Sequence, residues 1–198
     1  ISRGPFSVGR SISGSMLIAD TADRLDYLNA CIFLKNFSMD INIIQLQHSR
    51  FVFMHELSFR ILKKVSVTFH EGLLVNSYFD PRYLNPFMIM HNHAPWYDPW
   101  QREDRMGFSD DVYTSCQLGV TIDVVPIKNW RLYGQFGMSQ LQTPSEVRGG
   151  ASYVPNGMGG LLGTEWVQPL SIGYLVATLE GLYAMPWFYI GKNKYVSF

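Results

Sequence analysis

"CQLGVTIDV", residues 116–124, decides the fold. Cys116, Leu118, Val120, Ile122 and Val124 fall on one parity. Gln117, Gly119, Thr121 and Asp123 fall on the other. Successive side chains of a strand point to opposite faces, so this period of two predicts a strand with one wholly apolar face and one polar or small face. The next segment repeats the pattern: Trp130, Leu132, Phe136 and Met138 share a face with Gly134, and Arg131, Tyr133, Gln135 and Ser139 share the other.

Working outward, earlier stretches alternate in the same way. Phe51, Phe53, Leu57, Phe59 and Ile61 oppose Arg50, Glu56, Ser58 and Arg60. Leu28, Ala30, Ile32 and Leu34 oppose Tyr27 and Asn29, and Val65, Val67 and Phe69 oppose Ser66, Thr68 and His70. The pattern predicts strands near 25–35, 38–47, 50–62, 64–75, 112–125, 129–142, 158–168, 171–183 and 187–197. Many reach the roughly 9–11 residues that a tilted membrane strand needs. The first, third, fifth and seventh connections are tight, near Lys35–Ser38, Lys63–Lys64, Ile127–Asn129 and Pro169–Ser171. Two of the others, 76–111 and 143–157, are long. Short turns at one end and long loops at the other fit an outer-membrane barrel, with the long loops outside. A soluble up-and-down barrel is the competing architecture.

Composition agrees. Charged residues make up 16% and aromatics 15% of the 198 residues, against about 25% charged in a typical soluble domain. No apolar run approaches the roughly 20 residues of a membrane helix. Sixteen basic and sixteen acidic residues leave no net charge, hence no long-range attraction to nucleic acid. The chain opens at Ile1 with no charged stretch leading into an apolar one, so the expectation is mature protein or an internal fragment. Cys31 and Cys116 are read as small apolar strand residues, since two distant thiols make no disulfide framework.

The expected fold is therefore all-β: an antiparallel up-and-down transmembrane barrel, or part of one. Residues 1–24 form an N-terminal segment, and 25–198 supply the strands, with a long extracellular loop at 76–111. Asp123, Arg131, Gln135 and Glu165 are expected to face a hydrated lumen. Trp130, Trp166, Trp187, Tyr133 and Tyr189 lie near strand ends and are candidates for interfacial girdles. The glycines of 157–163 are read as a bulge or a closely packed strand.

Several stretches resemble one family. "SRGPFSVGRSISGSMLIADTADRLDYL", with Gly4-Pro5 and then Gly14 to Ile18, is similar to the opening segment of the capsule-assembly (Wzi-type) outer-membrane barrels. Phe6 stands where that family's turn has a glycine. "RYLNPFMI", residues 82–89, resembles its Tyr-Leu-Asn-Pro segment, and "WRLYGQFGMSQLQ" followed by "NGMGGLLGTEW" resembles its successive strands. The resemblance spans Ser2 to about Trp166. Barrels of that family have more than nine strands, so it implies a part of one or a smaller relative. It also implies a non-enzymatic, lectin-like role at the cell outer membrane, in attaching or organising capsular polysaccharide. Outer-membrane lipid and surface polysaccharide are then the partners, with no cofactor and no nucleic acid. A porin or transport barrel with a loop-constricted lumen is the alternative.

The remaining chemistry is weighed on the residues. His91 and His93 are spaced to meet one ion from an extended segment, but only Asp98 stands near as a third ligand, so no metal site is assigned. His55 sits on an apolar face, away from Glu56 and Ser58, so the three make no dyad. His70 and Glu56 are expected to pair across neighbouring strands in the lumen. The long loop carries flat aromatic faces beside charged groups, the combination that sugars need. The candidate glycan contacts are Arg82, Tyr83, Trp96, Tyr97, Asp98, Trp100 and Arg102. Packing of the same aromatics at the barrel mouth is the competing reading.

Overall fold

The computed structural model describes residues 1–19, 24–76, 79–90, 114–149, 155–190 and 197. Nine strands form one antiparallel sheet in strict sequence order. They are β1 (Ser2–Gly4), β2 (Leu25–Leu34), β3 (Phe37–Gln47), β4 (Arg50–Ile61), β5 (Val65–Val75), β6 (Thr114–Ile127), β7 (Trp130–Gln140), β8 (Gly157–Leu170) and β9 (Gly173–Ala184). A 3-10 turn at Pro81–Leu84 and a short helix, α1 (Pro144–Arg148), are the helical elements among the described residues. The sheet is open: β9 pairs with β8 alone, so this is an up-and-down partial barrel.

Eight strands stand where the alternation puts them. The ninth does not. The expected strand at 187–197 is replaced, over its described part, by consecutive turns in which Phe188 N–H donates to Met185 C=O and Ile190 N–H to Trp187 C=O. The extra strand is instead β1, three residues paired with the start of β2. Its brevity hides it from a periodicity argument, which needs several alternations.

The tight connections β2–β3, β4–β5, β6–β7 and β8–β9 all lie at one end of the sheet. The longer connections at the other end include 5–24, 76–113 and 141–156. At the tight end, Ile61 C=O accepts from Lys64 N–H at 3.3 Å, and Leu62 and Lys63 both take positive φ, 52° and 59°. That is the type I′ hairpin turn, favoured for its match to strand twist but built here from residues that dislike the left-handed region. Replacing the pair with Asn-Gly (Leu62→Asn with Lys63→Gly) is expected to stabilise the folded state by about 1–2 kcal/mol. A urea titration checks this, and an unchanged midpoint would refute the turn geometry.

The two faces differ in kind. The outer face carries exposed Leu28, Ile32, Phe59, Phe69, Ile122, Phe136, Leu162 and Leu179. Trp130 and Trp166 are register partners on this face, next to the tight turns. The inner face carries Asn29, Asn42, Glu56, His70, Thr121, Asp123, Arg131 and Gln135. Cys31 and Cys116 are both free and lie on opposite faces. Tyr133, a girdle candidate, points inward and is buried, so it belongs to the interior.

Alternation fails in three places, "II" (43–44), "FVFM" (51–54) and "LLV" (73–75), where neighbours on both faces are apolar. There the sheet is covered on both sides. Residues 5–18 lie along the inner face, where Val8, Met16 and Leu17 form a core with Ile44, Val52, Met54, Leu74, Leu161 and Phe188. On the outer face, Tyr83 and Met90 of the long connection pack on Ile43, Phe53, Leu73 and Val75. A strand buried on both faces has no polar parity to show, so its sequence becomes a continuous apolar run.

Candidate functional site

The interior surface is built from the strands' polar parity. Cross-strand neighbours lie close enough to bond directly, and here they form a ladder. Asn29 Nδ2 donates to Asn42 Oδ1 at 2.7 Å, and Asn42 Nδ2 donates to Glu56 Oε1 at 2.8 Å. Glu56 Oε2 lies 3.3 Å from His70 Nδ1, and His70 Nε2 lies 3.1 Å from Thr121 Oγ1. Ser58 and Thr68 hydroxyls meet at 2.8 Å in the adjoining rung. The chain of contacts crosses five strands, β2 to β6. Asn42 and His70 are almost fully buried; Asn42 is hydrogen-bonded on both sides, while His70 bonds Thr121 and faces Glu56 without a hydrogen bond. The Glu56–His70 pair is the one that parity predicts.

Residues 5–18 lie over the other half of this surface and are tied to it by named groups. Gln135 is the central clamp: its Oε1 accepts from Met16 N–H at 2.9 Å, and its Nε2 donates to Val8 C=O at 3.3 Å. Glu180 accepts from Ile12 N–H at 2.7 Å and Ser13 N–H at 2.9 Å, and from the hydroxyls of Ser13 and Tyr133. Arg131 bonds Asp123 through Nε at 2.8 Å and donates to Arg10 C=O at 2.8 Å. Tyr189 donates its hydroxyl to Met16 C=O at 2.8 Å. Burial raises the pKa of that phenol, which keeps it a donor.

The sheet also makes room for the segment. Gly119, Gly137 and Gly159 are register partners in a row across β6, β7 and β8. A Cβ at Gly119 would sit 2.8 Å from Leu17, one at Gly137 2.7 Å from Leu17 and 2.5 Å from Phe188, and one at Gly159 3.0 Å from Met16. The three glycines form a seat. The 157–163 glycines thus lie in a closely packed strand, as their spacing suggests, and the register slips by one residue where Gly157 meets Gln140. Between the segment and the strands a cavity of about 570 Å³ remains, lined by Asp40, Glu56, His70, Asp123 and Arg131 among others. It reaches Lys35, Asn36 and Arg60 at the tight-turn end.

The long connection is built differently from the surface its sequence suggests. Asp80 caps the 3-10 turn by accepting from Arg82 N–H at 2.9 Å, and its carboxylate also holds the Arg82 guanidinium. Tyr83 is buried, with its ring 5.0 Å from that of Phe53, so it offers no free face to a sugar. Arg82 keeps a partly exposed side chain beside Asp80. The other glycan candidates, Trp96, Tyr97, Asp98, Trp100 and Arg102, lie outside the described residues, as do His91 and His93.

Sequence reasoning missed the seat and the clamp. Residues 5–18 alternate Phe6, Val8, Ile12 and Met16 with serines and Gly9, but form no strand, and Gly9 and Gly14 take positive φ. The signal that could have revealed them is the coincidence of glycines at one sheet level in three strands. Comparisons with family models, with curated proteins and with solved structures find no match to this chain.

Proposed function

We propose that the chain is the wall of an outer-membrane β-barrel with an occluded interior, serving the attachment or organisation of surface polysaccharide without catalysis. One observation carries the reading: an apolar outer face, exposed beyond the patch that residues 79–90 cover, backs a polar inner face that residues 5–18 cover. Lipid satisfies the first face and leaves backbone bonding to the strands. A polar interior crossed by a hydrogen-bonded segment is suited to holding a wall rigid, and less suited to passing solutes than the porin alternative requires. The polysaccharide role rests on the resemblance described above and on the aromatic loop at the long-connection end.

Membrane extraction followed by planar-bilayer recording tests the wall. The folded protein is expected to need detergent, to migrate faster unheated than heated on a denaturing gel, and to pass no steady current. A stable open-channel current from wild type would transfer the reading to a porin. A glycan array then tests the surface role: Trp96→Ala with Trp100→Ala should weaken binding at least tenfold, and unchanged binding would remove this loop as the contact surface.

A further inference from the structure

On the outer face, between the long connection and the strands, lies an apolar groove of about 630 Å³. Leu57, Phe69, Leu118 and Phe136 form its floor, and Phe87 and Met88 its roof. It is continuous with the exposed apolar surface at Phe69 and Phe136. Three lining residues are polar, His55, His70 and Glu71, and Glu71 is the cross-strand partner of His55. His55 is 6% exposed, and its Nε2 has no hydrogen-bond partner among the described residues. An unpaired buried imidazole nitrogen costs roughly 1–3 kcal/mol, which makes it a poor choice for simple packing.

We infer that this groove seats one acyl chain of a bilayer phospholipid, with His55 Nε2 donating to the ester carbonyl at the head of that chain. The volume falls in the range of ordinary ligand sites, roughly 300–1,000 Å³. The mostly apolar lining matches methylenes, each of which favours burial, and the unpaired His55 Nε2 beside Glu71 matches the carbonyl acceptor at the polar end of an acyl ester. A histidine on an apolar strand parity, awkward as packing, is what such a ligand needs. The occupant comes from the bilayer because the groove opens onto the surface assigned to lipid. The inference rests on that assignment.

Native mass spectrometry of the detergent-solubilised full chain, titrated with dipalmitoyl phosphatidylethanolamine, tests it. Wild type should show one saturable bound lipid. His55→Leu, which keeps the bulk and removes the donor, should weaken that adduct at least tenfold. Val120→Trp, which fills the groove from a lining position, should abolish it. Unheated gel mobility reports whether each variant is folded. Equal adducts in all three proteins would overturn the inference, as would no adduct on folded wild type. Failure of the membrane reading looks different: a protein that stays in solution without detergent and shows no heat-dependent mobility.

Discussion

Replacing Gln135 by leucine is expected to free residues 5–18 from the sheet while leaving the sheet folded. Gln135 is 5% exposed, and its two ends serve two backbone groups, Met16 N–H and Val8 C=O. Leucine keeps most of the volume and satisfies neither. A buried backbone group left without its partner costs roughly 1–3 kcal/mol. With the longer of the two bonds discounted, the loss is about 3 kcal/mol, on the order of a hundredfold in the undocked fraction. Trypsin reads this directly, because Arg10 lies in the segment. Cleavage after Arg10 in the folded protein should accelerate by about that factor. Gln135→Glu keeps the acceptor for Met16 and should fall between the two. If Gln135→Leu left cleavage unchanged, Gln135 would not hold the segment.

Gly137→Val should unseat the same segment by steric means. Its Cβ would meet Phe188 Cζ at 2.5 Å and Leu17 Cδ2 at 2.7 Å, and both rows are packed within the core. Overpacking of this kind costs typically about 1–3 kcal/mol, and it pushes from two sides at once. The built-in control is Gly181→Val on β9, where an added Cβ meets nothing within 4 Å. Valine favours strands, so that variant should be neutral or slightly stabilising. Faster trypsin cleavage in Gly137→Val, with none in Gly181→Val, supports a seat made for contact. Equal behaviour would mean that glycine acts through strand propensity alone.

The wall of the molecule was legible because alternation is a direct consequence of a two-faced sheet. Leu118 to Val124 and Trp130 to Met138 gave both the strands and their faces, and the Glu56–His70 pair followed from parity across one register. What lay against the sheet was harder to read. Residues 5–18 contact groups such as Gln135 and Glu180 that are distant in sequence, and nothing local encodes such a contact. The aromatics at 187–189 imitate a strand because Phe188 and Tyr189 serve the interior, one in the core and one on Met16 C=O. Tyr83 looked like a sugar platform for a related reason: an aromatic in a proline-rich loop reads the same whether it faces solvent or Phe53. The three apolar runs at 43–44, 51–54 and 73–75 did hold a clue. They mark where a second layer covers each face.

The clamp on Met16 sets an order of events during folding. Met16 C=O and the Tyr189 hydroxyl are 173 residues apart, and Ile12 N–H and Glu180 are 168 apart. Five of the strand pairs close through turns of two or three residues, which form quickly, whereas contacts of such separation carry the largest closure entropy. The hairpins therefore form with the interior still wet, and residues 5–18 wait for Glu180 and Tyr189. Docking of 5–18 then expels that water late, as the step that completes the fold.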